Sequence, residues 1–224
     1  MSPVGENDLY AFFQICSEDG WNSEGKPEWH KWIQNWFVCL PSALAYIHSK
    51  GIRHQDIKPS NIVHKGEKIY FTDFGSSSRF IVGHTTSTVS FSGYTPMYAA
   101  PEINDRGCGT DDVGRHGRSA DIFALGCVFC DLLSVWQGQS LSDYHGYLSG
   151  ARGTSYGLFR YSEKIDMLGP IFGSFGSSTL FPQCIQPMLW TDRALRPTAA
   201  ETATKILSLH YWWGFECECT SSRL

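Results

Sequence analysis

The chain has 224 residues and a net charge of −4, and 42% of its residues are hydrophobic and 14% aromatic. This composition excludes a disordered chain and allows one sizeable hydrophobic core. The charge balance is slightly acidic and no basic run occurs, so we expect no binding to nucleic acid.

The apolar runs and the cysteines indicate the compartment. The longest apolar run, Ile122–Val135, is interrupted by Asp131 and falls short of the ~18 residues of a membrane span. The N-terminus has no basic segment followed by an apolar block, so we expect neither a membrane span nor a secretory signal. The eight cysteines are irregularly spaced, which is typical of reduced thiols in a cytoplasmic or nuclear protein. Cys127-Val-Phe-Cys130 lies in an apolar run, and we interpret it as core packing rather than a metal site.

The first long helix is predicted from apolar residues that recur at helical spacing over Trp29–Ile47. The polar stretch Glu18–Glu28 before it is a predicted loop. Pro41 lies inside the helical pattern and lacks an N–H, so we expect a kink or a short break between Phe37 and Pro41. Gly51 is predicted to end the helix. The three tryptophans on its apolar stripe are expected to pack into the core beneath the loop that follows.

A polar cluster is predicted where the sequence reads HQDIKPSNIVHKGEKIYFTDFG, from residue 54 to residue 75. Strand-forming residues on both sides of Lys65-Gly66-Glu67 predict a β-hairpin. Such a hairpin brings the residues before its first strand and after its second strand to the same end. The polar residues at these two places are Asp56, Lys58, Asn61 and Asp73. The sequence therefore predicts two carboxylates, one amide and one ammonium that face a common space.

The rest of the chain alternates polar loops with helices. Ser76–Tyr94 is rich in Ser and Thr, and Ile103–Arg118 is polar and Gly-rich, so both are predicted loops. The almost wholly apolar run after Ser119, its predicted cap, is typical of a helix in the middle of a domain. A further helix is predicted over Tyr161–Leu168. Two helices joined by a turn follow near the C-terminus, the second capped by Thr198.

Motifs in four parts of the chain, in this order, resemble those of the eukaryotic protein kinases. HQDIKPSN and the later DFG are similar to the catalytic and metal-binding loops, and TPMYAAPE is similar to the end of the activation segment. SADIFALG resembles the central helix of the large lobe, and RPT at residues 196–198 resembles the signature of its last helices. The resemblance implies a mainly α fold of the α+β family, a helical kinase C-terminal lobe with short β-hairpins at the cleft. Residues 1–213 would be the hinge and this lobe, and residues 214–224 a tail.

The resemblance also implies roles for the polar cluster, because a transferring phosphoryl group needs positioning and cations more than covalent chemistry. Asp56 and Lys58 would be catalytic: Asp56 would accept the proton of the substrate hydroxyl, and Lys58 would neutralise the transferring phosphate. Lys58, Asn61 and Asp73 would bind ATP. Asn61 and Asp73 would ligate Mg²⁺, which prefers oxygen ligands. A lysine two places after Asp56 resembles the serine/threonine type.

Supporting contacts are implied in the same way. Thr95 would touch the catalytic loop, and Asp121 would hydrogen-bond the backbone of that loop. Arg196 would pair with Glu102. The residue before the catalytic aspartate is Gln55, where many loop-regulated kinases carry Arg. Because a neutral amide cannot pair bidentately with a phosphate, we expect that phosphorylation does not order the activation loop through residue 55.

The implied function is that of a serine/threonine protein kinase, which transfers the γ-phosphate of ATP to a Ser or Thr hydroxyl of a protein substrate. The sequence contains no G-x-G-x-x-G motif and no Val-Ala-x-Lys strand. We therefore expect the small N-terminal lobe to be absent and the chain alone to be weak or inactive, unless a partner or an upstream segment supplies that lobe. The alternative is a catalytically inactive, kinase-like interaction module. Small-molecule phosphotransferases share the Asp-to-Asn loop but usually lack TPMYAAPE.

Overall fold

The computed structural model describes residues 5–18, 28–79, 95–104, 117–150, 158–173 and 179–209, and these residues are mainly helical. Their α-helices are α1 Leu9–Glu18, α2 Glu28–Ser49, α3 Pro101–Asn104, α4 Arg118–Trp136, α5 Leu141–Ser149, α6 Ile165–Gly173, α7 Gln186–Met188 and α8 Ala199–Ser208. Their strands are β1 Asn7–Asp8, β2 Ile52–Arg53, β3 Ile62–Lys65, β4 Lys68–Phe71 and β5 Ser78–Arg79. The predicted mainly α fold with short hairpins is confirmed. Most of each of the three predicted loops lies outside the described residues.

The predicted hairpin forms between β3 and β4, with Ile62 opposite Phe71. Gly66 in its turn has a φ of +53°, in the left-handed region that glycine adopts without strain. Two further antiparallel pairings join residues far apart in sequence, β1 with β3 and β2 with β5. The prediction that Ser78–Arg79 belongs to a loop was therefore wrong. Its partner, Ile52–Arg53, is too distant for a local pattern to reveal the pairing.

Helix α2 runs unbroken through Pro41, so a short break between Phe37 and Pro41 is wrong, and the alternative, a kink, stays a prediction. The helix packs on α8, α4 and β4 and carries a row of fully buried apolar side chains that includes Ile33, Phe37 and Leu44. Each such side chain contributes about 1.5–3 kcal/mol on burial, and together they outweigh the ~3 kcal/mol that an interior proline costs. Gly51, with a φ of +72°, follows the end of the helix as predicted.

The tryptophan stripe of α2 packs beneath the hairpin rather than beneath the loop that precedes it. Trp36 is fully buried, and its indole N–H donates to the carbonyl of Glu67 in the hairpin turn at 2.6 Å. Its ring lies 5.0 Å from that of Phe12 and 5.5 Å from that of His64. The stripe is core, as expected, and it fixes the hairpin to α1 and α2.

Helix α4 is the centre of the core, and its residues are buried all round. Its length and composition alone would also suit a membrane span, but 83% of its most apolar window is buried inside the protein. Gly117, not Ser119, is the residue before its first turn, so the predicted cap was wrong. Cys127 and Cys130 are fully buried in this helix, and burial raises the pKa of both thiols well above the ordinary value. Both thiols therefore pack as apolar groups.

The C-terminal third departs from the predictions mainly in helix type. Tyr161–Glu163 is a 3₁₀ turn, and α6 begins only after it. Phe181–Ile185 forms a π-helical turn that leads into α7. Thr198 caps α8 as predicted: its side chain accepts the N–H of Glu201, and the Glu201 carboxylate accepts the N–H of Thr198 in return. The pKa of Glu201 is lowered because Thr198 donates to it.

We expect Thr198→Ala to lower the free energy of unfolding by ~1 kcal/mol, because it removes the acceptor for a helix N–H that has no intrahelical partner. Urea denaturation followed by circular dichroism measures the change. Thr204→Ala, at an exposed position inside the same helix, is the matched control and should be neutral or slightly stabilising. Equal losses in the two variants would contradict a capping role.

Candidate active site

The side chains of Asp56, Lys58, Asn61 and Thr95 form one hydrogen-bonded cluster. The ammonium of Lys58 lies 2.8 Å from Oδ2 of Asp56 and donates to the Thr95 hydroxyl at 2.9 Å. That hydroxyl in turn donates to Oδ1 of Asp56 at 3.3 Å. The amide of Asn61 donates to the backbone carbonyl of Asp56 at 2.8 Å and to Oδ2 at 2.9 Å. The predicted contact of Thr95 with this loop is thus present.

Asp73 is brought to the same end of the hairpin by backbone pairing. The N–H of Thr72, its neighbour, donates to the carbonyl of Asn61 at 2.9 Å. His54 ties the same two segments, because its Nε2 lies 2.9 Å from the carbonyl of Thr72. Since a carbonyl only accepts, Nε2 carries the proton. Asp73 is exposed, and its Oδ1 accepts the N–H of Gly75 at 3.2 Å.

Both acidic loops contain a strained backbone position. Gln55, with a φ of 71°, and Asp73, with a φ of 54°, are the only described residues other than glycine in the left-handed region. Such conformations cost about 1–3 kcal/mol and persist where surrounding contacts hold them. One of them lies beside Asp56 and the other is the second acid, so both occur at the same end of the hairpin.

Asp121 supplies the contacts that hold the Gln55 conformation. Its carboxylate accepts the N–H of His54 at 2.9 Å and that of Gln55 at 2.8 Å, and it lies 2.9 Å from Nε2 of His48. Burial alone raises the pKa of Asp121, but His48 and the two backbone donors outweigh burial and leave the pKa below its ordinary value. The ionised carboxylate therefore stabilises the fold at neutral pH, and that stabilisation is lost as the pH falls below the ordinary range of an aspartate.

The far end of the segment that holds Thr95 is fixed by an ion pair. Both carboxylate oxygens of Glu102 accept from Arg196 at 2.8 Å, in the predicted pairing. The Arg196 side chain is fully buried. Glu102 lies in the first turn of the short helix α3, so this pair anchors the segment to the C-terminal part of the chain.

Sequence reasoning missed three histidine contacts and one buried carboxylate. His48 on α2 binds Asp121, and His54 bridges the two acidic loops. Asp131 on α4 receives hydrogen bonds from Tyr98 and His145. The HQD order signals a histidine next to the acid, but a helical histidine such as His48 and an aspartate inside an apolar run give no sign of their partners.

The donor set suits Mg²⁺ bound together with substrate phosphates. The two amide hydrogens of Asn61 point to Asp56, and its carbonyl oxygen is the remaining group for a cation. Asp73 offers an exposed carboxylate. Among the described residues no group of three or more His, Cys, Asp or Glu could form an all-protein cage. Mg²⁺ is typically held by one or two protein oxygens with phosphate and water filling the remaining positions, so these residues fit it.

The helical fold and this cluster have the arrangement of the protein kinase class. Comparison with known proteins gives the same answer: the sequence profile described as protein kinase domain matches residues 7–209, and the chain belongs to that family.

Relatives among the kinases cover different shares of the chain. Mitogen-activated protein kinase 13 of Oryza sativa subsp. indica is 31% identical over 135 residues, which cover 57% of this chain and 25% of that protein. MAP kinase kinase kinase wis4 of Schizosaccharomyces pombe is 33% identical over 145 residues, which cover 58% of this chain and 10% of that protein. Mitogen-activated protein kinase 16 of Oryza sativa subsp. japonica is 27% identical over an alignment 224 residues long, which covers 88% of this chain and 42% of that protein. The chain thus spans less than half the length of these relatives.

Proposed function

We propose that the chain carries the catalytic lobe of a serine/threonine protein kinase, which transfers the γ-phosphate of ATP to a Ser or Thr hydroxyl of a protein. The observation that carries the proposal is the cluster in which Lys58, Asn61 and Thr95 all contact Asp56 beside the loop of Asp73. Membership of the kinase family and the serine/threonine kinases among the relatives support it.

The hydrogen bonds of Asp56 indicate which of its oxygens serves the substrate. Oδ2 already accepts from Asn61 and faces the ammonium of Lys58 at 2.8 Å. Oδ1 accepts one long hydrogen bond, 3.3 Å, from Thr95. Since each carboxylate oxygen has about two acceptor sites, Oδ1 retains capacity for a further donor. We assign Oδ1 as the atom that orients the substrate hydroxyl and takes its proton as the phosphoryl group transfers.

Lys58 and the two oxygen donors serve the phosphate side of the reaction. The Lys58 side chain is about three-quarters buried, and its ammonium lies between Asp56 and Thr95, which would hold it where negative charge develops. Asn61 and Asp73 would hold Mg²⁺, which supplies charge neutralisation to the β- and γ-phosphates when bound.

The sequence contains no G-x-G-x-x-G motif, the pattern of the loop that covers the phosphates of ATP in protein kinases. We therefore include in the proposal that an upstream segment or a partner chain supplies the small lobe. We also propose an intracellular location, which the free thiols of the described cysteines support.

Binding of ATP to the 224-residue chain, with and without Mg²⁺, tests the proposal by isothermal titration calorimetry. We expect binding that requires Mg²⁺ and that weakens at least tenfold in Asp73→Asn, because a cation ligand is lost at the site. Asp166→Asn, an exposed aspartate on α6, is the control and should bind as the wild type does. Absence of binding in the wild type would favour the kinase-like interaction module.

A further inference from the structure

A buried carboxylate in the middle of α4 collects hydrogen bonds from three other parts of the chain. Asp131 is fully buried. Its Oδ2 accepts the hydroxyl of Tyr98 at 2.8 Å. Its Oδ1 accepts the hydroxyl of Tyr161 and lies 2.7 Å from Nε2 of His145, which carries the proton because a carboxylate only accepts. We call Asp131 with these three donors the Asp131 cluster.

The hydrogen bonds of the Asp131 cluster are stabilising because a buried carboxylate without donors is energetically unfavourable. Removing one partner of a buried charged group costs far more than the hydrogen bond contributes on balance, so each donor constrains the carboxylate. Burial, with Asp131 as the next cause, raises the pKa of Tyr98 and Tyr161 well above the ordinary value. Both hydroxyls therefore stay protonated and act as donors. Ring contacts of Tyr161 with Tyr98, at 5.8 Å, and with Phe159, at 5.2 Å, fill the space around them.

One member of the Asp131 cluster, Tyr98, belongs to the segment that also holds Thr95. Tyr98 ends the 3₁₀ turn Pro96–Tyr98, and its N–H donates to the carbonyl of Thr95 at 3.1 Å. Thr95 is the residue whose hydroxyl links Lys58 to Asp56. The position of that hydroxyl therefore depends on the anchoring of Tyr98 by Asp131.

We propose that His145 and Tyr161 are positioning residues of the phosphotransfer site, which act through Asp131 and Tyr98 on Thr95 and on the segment that presents the substrate. The inference rests on the proposed function. Neither residue touches the reacting groups; each supplies a donor that keeps the Asp131 carboxylate aligned toward Tyr98. His145 lies on α5 with its side chain 16% exposed, so the path runs from near the surface of α5 to the site.

Amide hydrogen exchange of the 224-residue chain tests the coupling without any need for activity. The amides of Tyr98, Ala99 and Ile103 donate within the segment from Thr95 to Asn104 and report on its opening. We expect His145→Ala and Tyr161→Phe each to accelerate their exchange by about tenfold, with exchange in the β3–β4 hairpin unchanged. His145→Gln, which keeps a donor, should restore much of the protection. Tyr147→Phe, an exposed position on the same helix, is the control.

Two exchange results would overturn the inference. Unchanged exchange in the segment would show that the donors do not hold it. Equal acceleration in the segment and in the hairpin would show that the two residues contribute only to global stability.

An activity measurement with a peptide as phosphate acceptor, on a protein that contains this chain, completes the test. Both variants should raise KM for the peptide about tenfold with a smaller fall in kcat, because they displace the segment from Thr95 to Asn104 and leave Asp56, Asn61 and Asp73 in place. A fall in kcat alone would contradict the inference. Absence of phosphotransfer in the wild type would instead refute the proposed function, and the exchange result would still decide whether His145 and Tyr161 order the segment.

Discussion

Replacing Asp56 by Asn should lower the rate of phosphotransfer by about 10²–10⁴, the usual contribution of a positioned general base. The substitution conserves shape but removes the acceptor that takes the hydroxyl proton. It also removes the charge that faces the ammonium of Lys58 at 2.8 Å. Mg²⁺-dependent ATP binding should persist, because Asn61 and Asp73 still offer their oxygens. The expected signature is thus a large loss of kcat with the nucleotide affinity retained.

The measurement is radiolabel transfer from ATP to a Ser/Thr peptide mixture, by a protein that contains this chain and is active in its wild-type form. Asp166→Asn on α6 changes charge by the same amount at an exposed position and should keep full activity. Transfer at the wild-type rate in Asp56→Asn would remove Asp56 from the mechanism. An equal loss in the control would indicate that net charge, and not the position of the acid, controls the rate.

The features that local sequence carries were predictable. The turn at Lys65-Gly66-Glu67 between strand-forming residues gave the hairpin, and the hairpin by itself brings Asp73 to Asn61. The cap at Thr198 followed from a Thr and a Glu three residues later. The hairpin and the cap are predictable because the groups that interact lie within a few residues of each other or are connected by a single turn.

Features that depend on distant packing were not predictable. Pro41 normally interrupts a helix, but the burial of α2 against three other elements keeps α2 continuous. Strand β5 exists because Ile52–Arg53 offers it a partner. Asp131, in an apolar run, gave no sign that Tyr98, Tyr161 and His145 converge on it. In each case the deciding contact joins residues that lie far apart in the sequence and meet only in the complete fold.

Replacing Arg196 by Met should lower the free energy of unfolding by ~3–5 kcal/mol, because it leaves buried acceptors without donors. All five guanidinium hydrogens are used. Two go to the carboxylate of Glu102 at 2.8 Å, and the other three go to the backbone carbonyls of Ser119, Trp190 and Thr191. The guanidinium also lies 5.0 Å from the ring centre of Phe123. Arg196 thus joins α3, α4 and the turn before α8 through one side chain.

Chemical denaturation of Arg196→Met, Arg196→Lys and the control Arg79→Met shows whether the hydrogen-bond geometry or the charge of Arg196 stabilises the fold. Arg79 is exposed, so its replacement should change stability by less than ~0.5 kcal/mol. Lysine keeps the charge but has three donors and no planar guanidinium. Arg196→Lys should therefore lower the free energy of unfolding almost as much as Arg196→Met does. A double variant with Glu102→Met should recover only part of the loss, since three backbone carbonyls stay unpaired. Wild-type stability in Arg196→Lys would mean that the positive charge alone holds Glu102. The five hydrogen bonds of the guanidinium would then contribute nothing to anchoring the segment that holds Thr95.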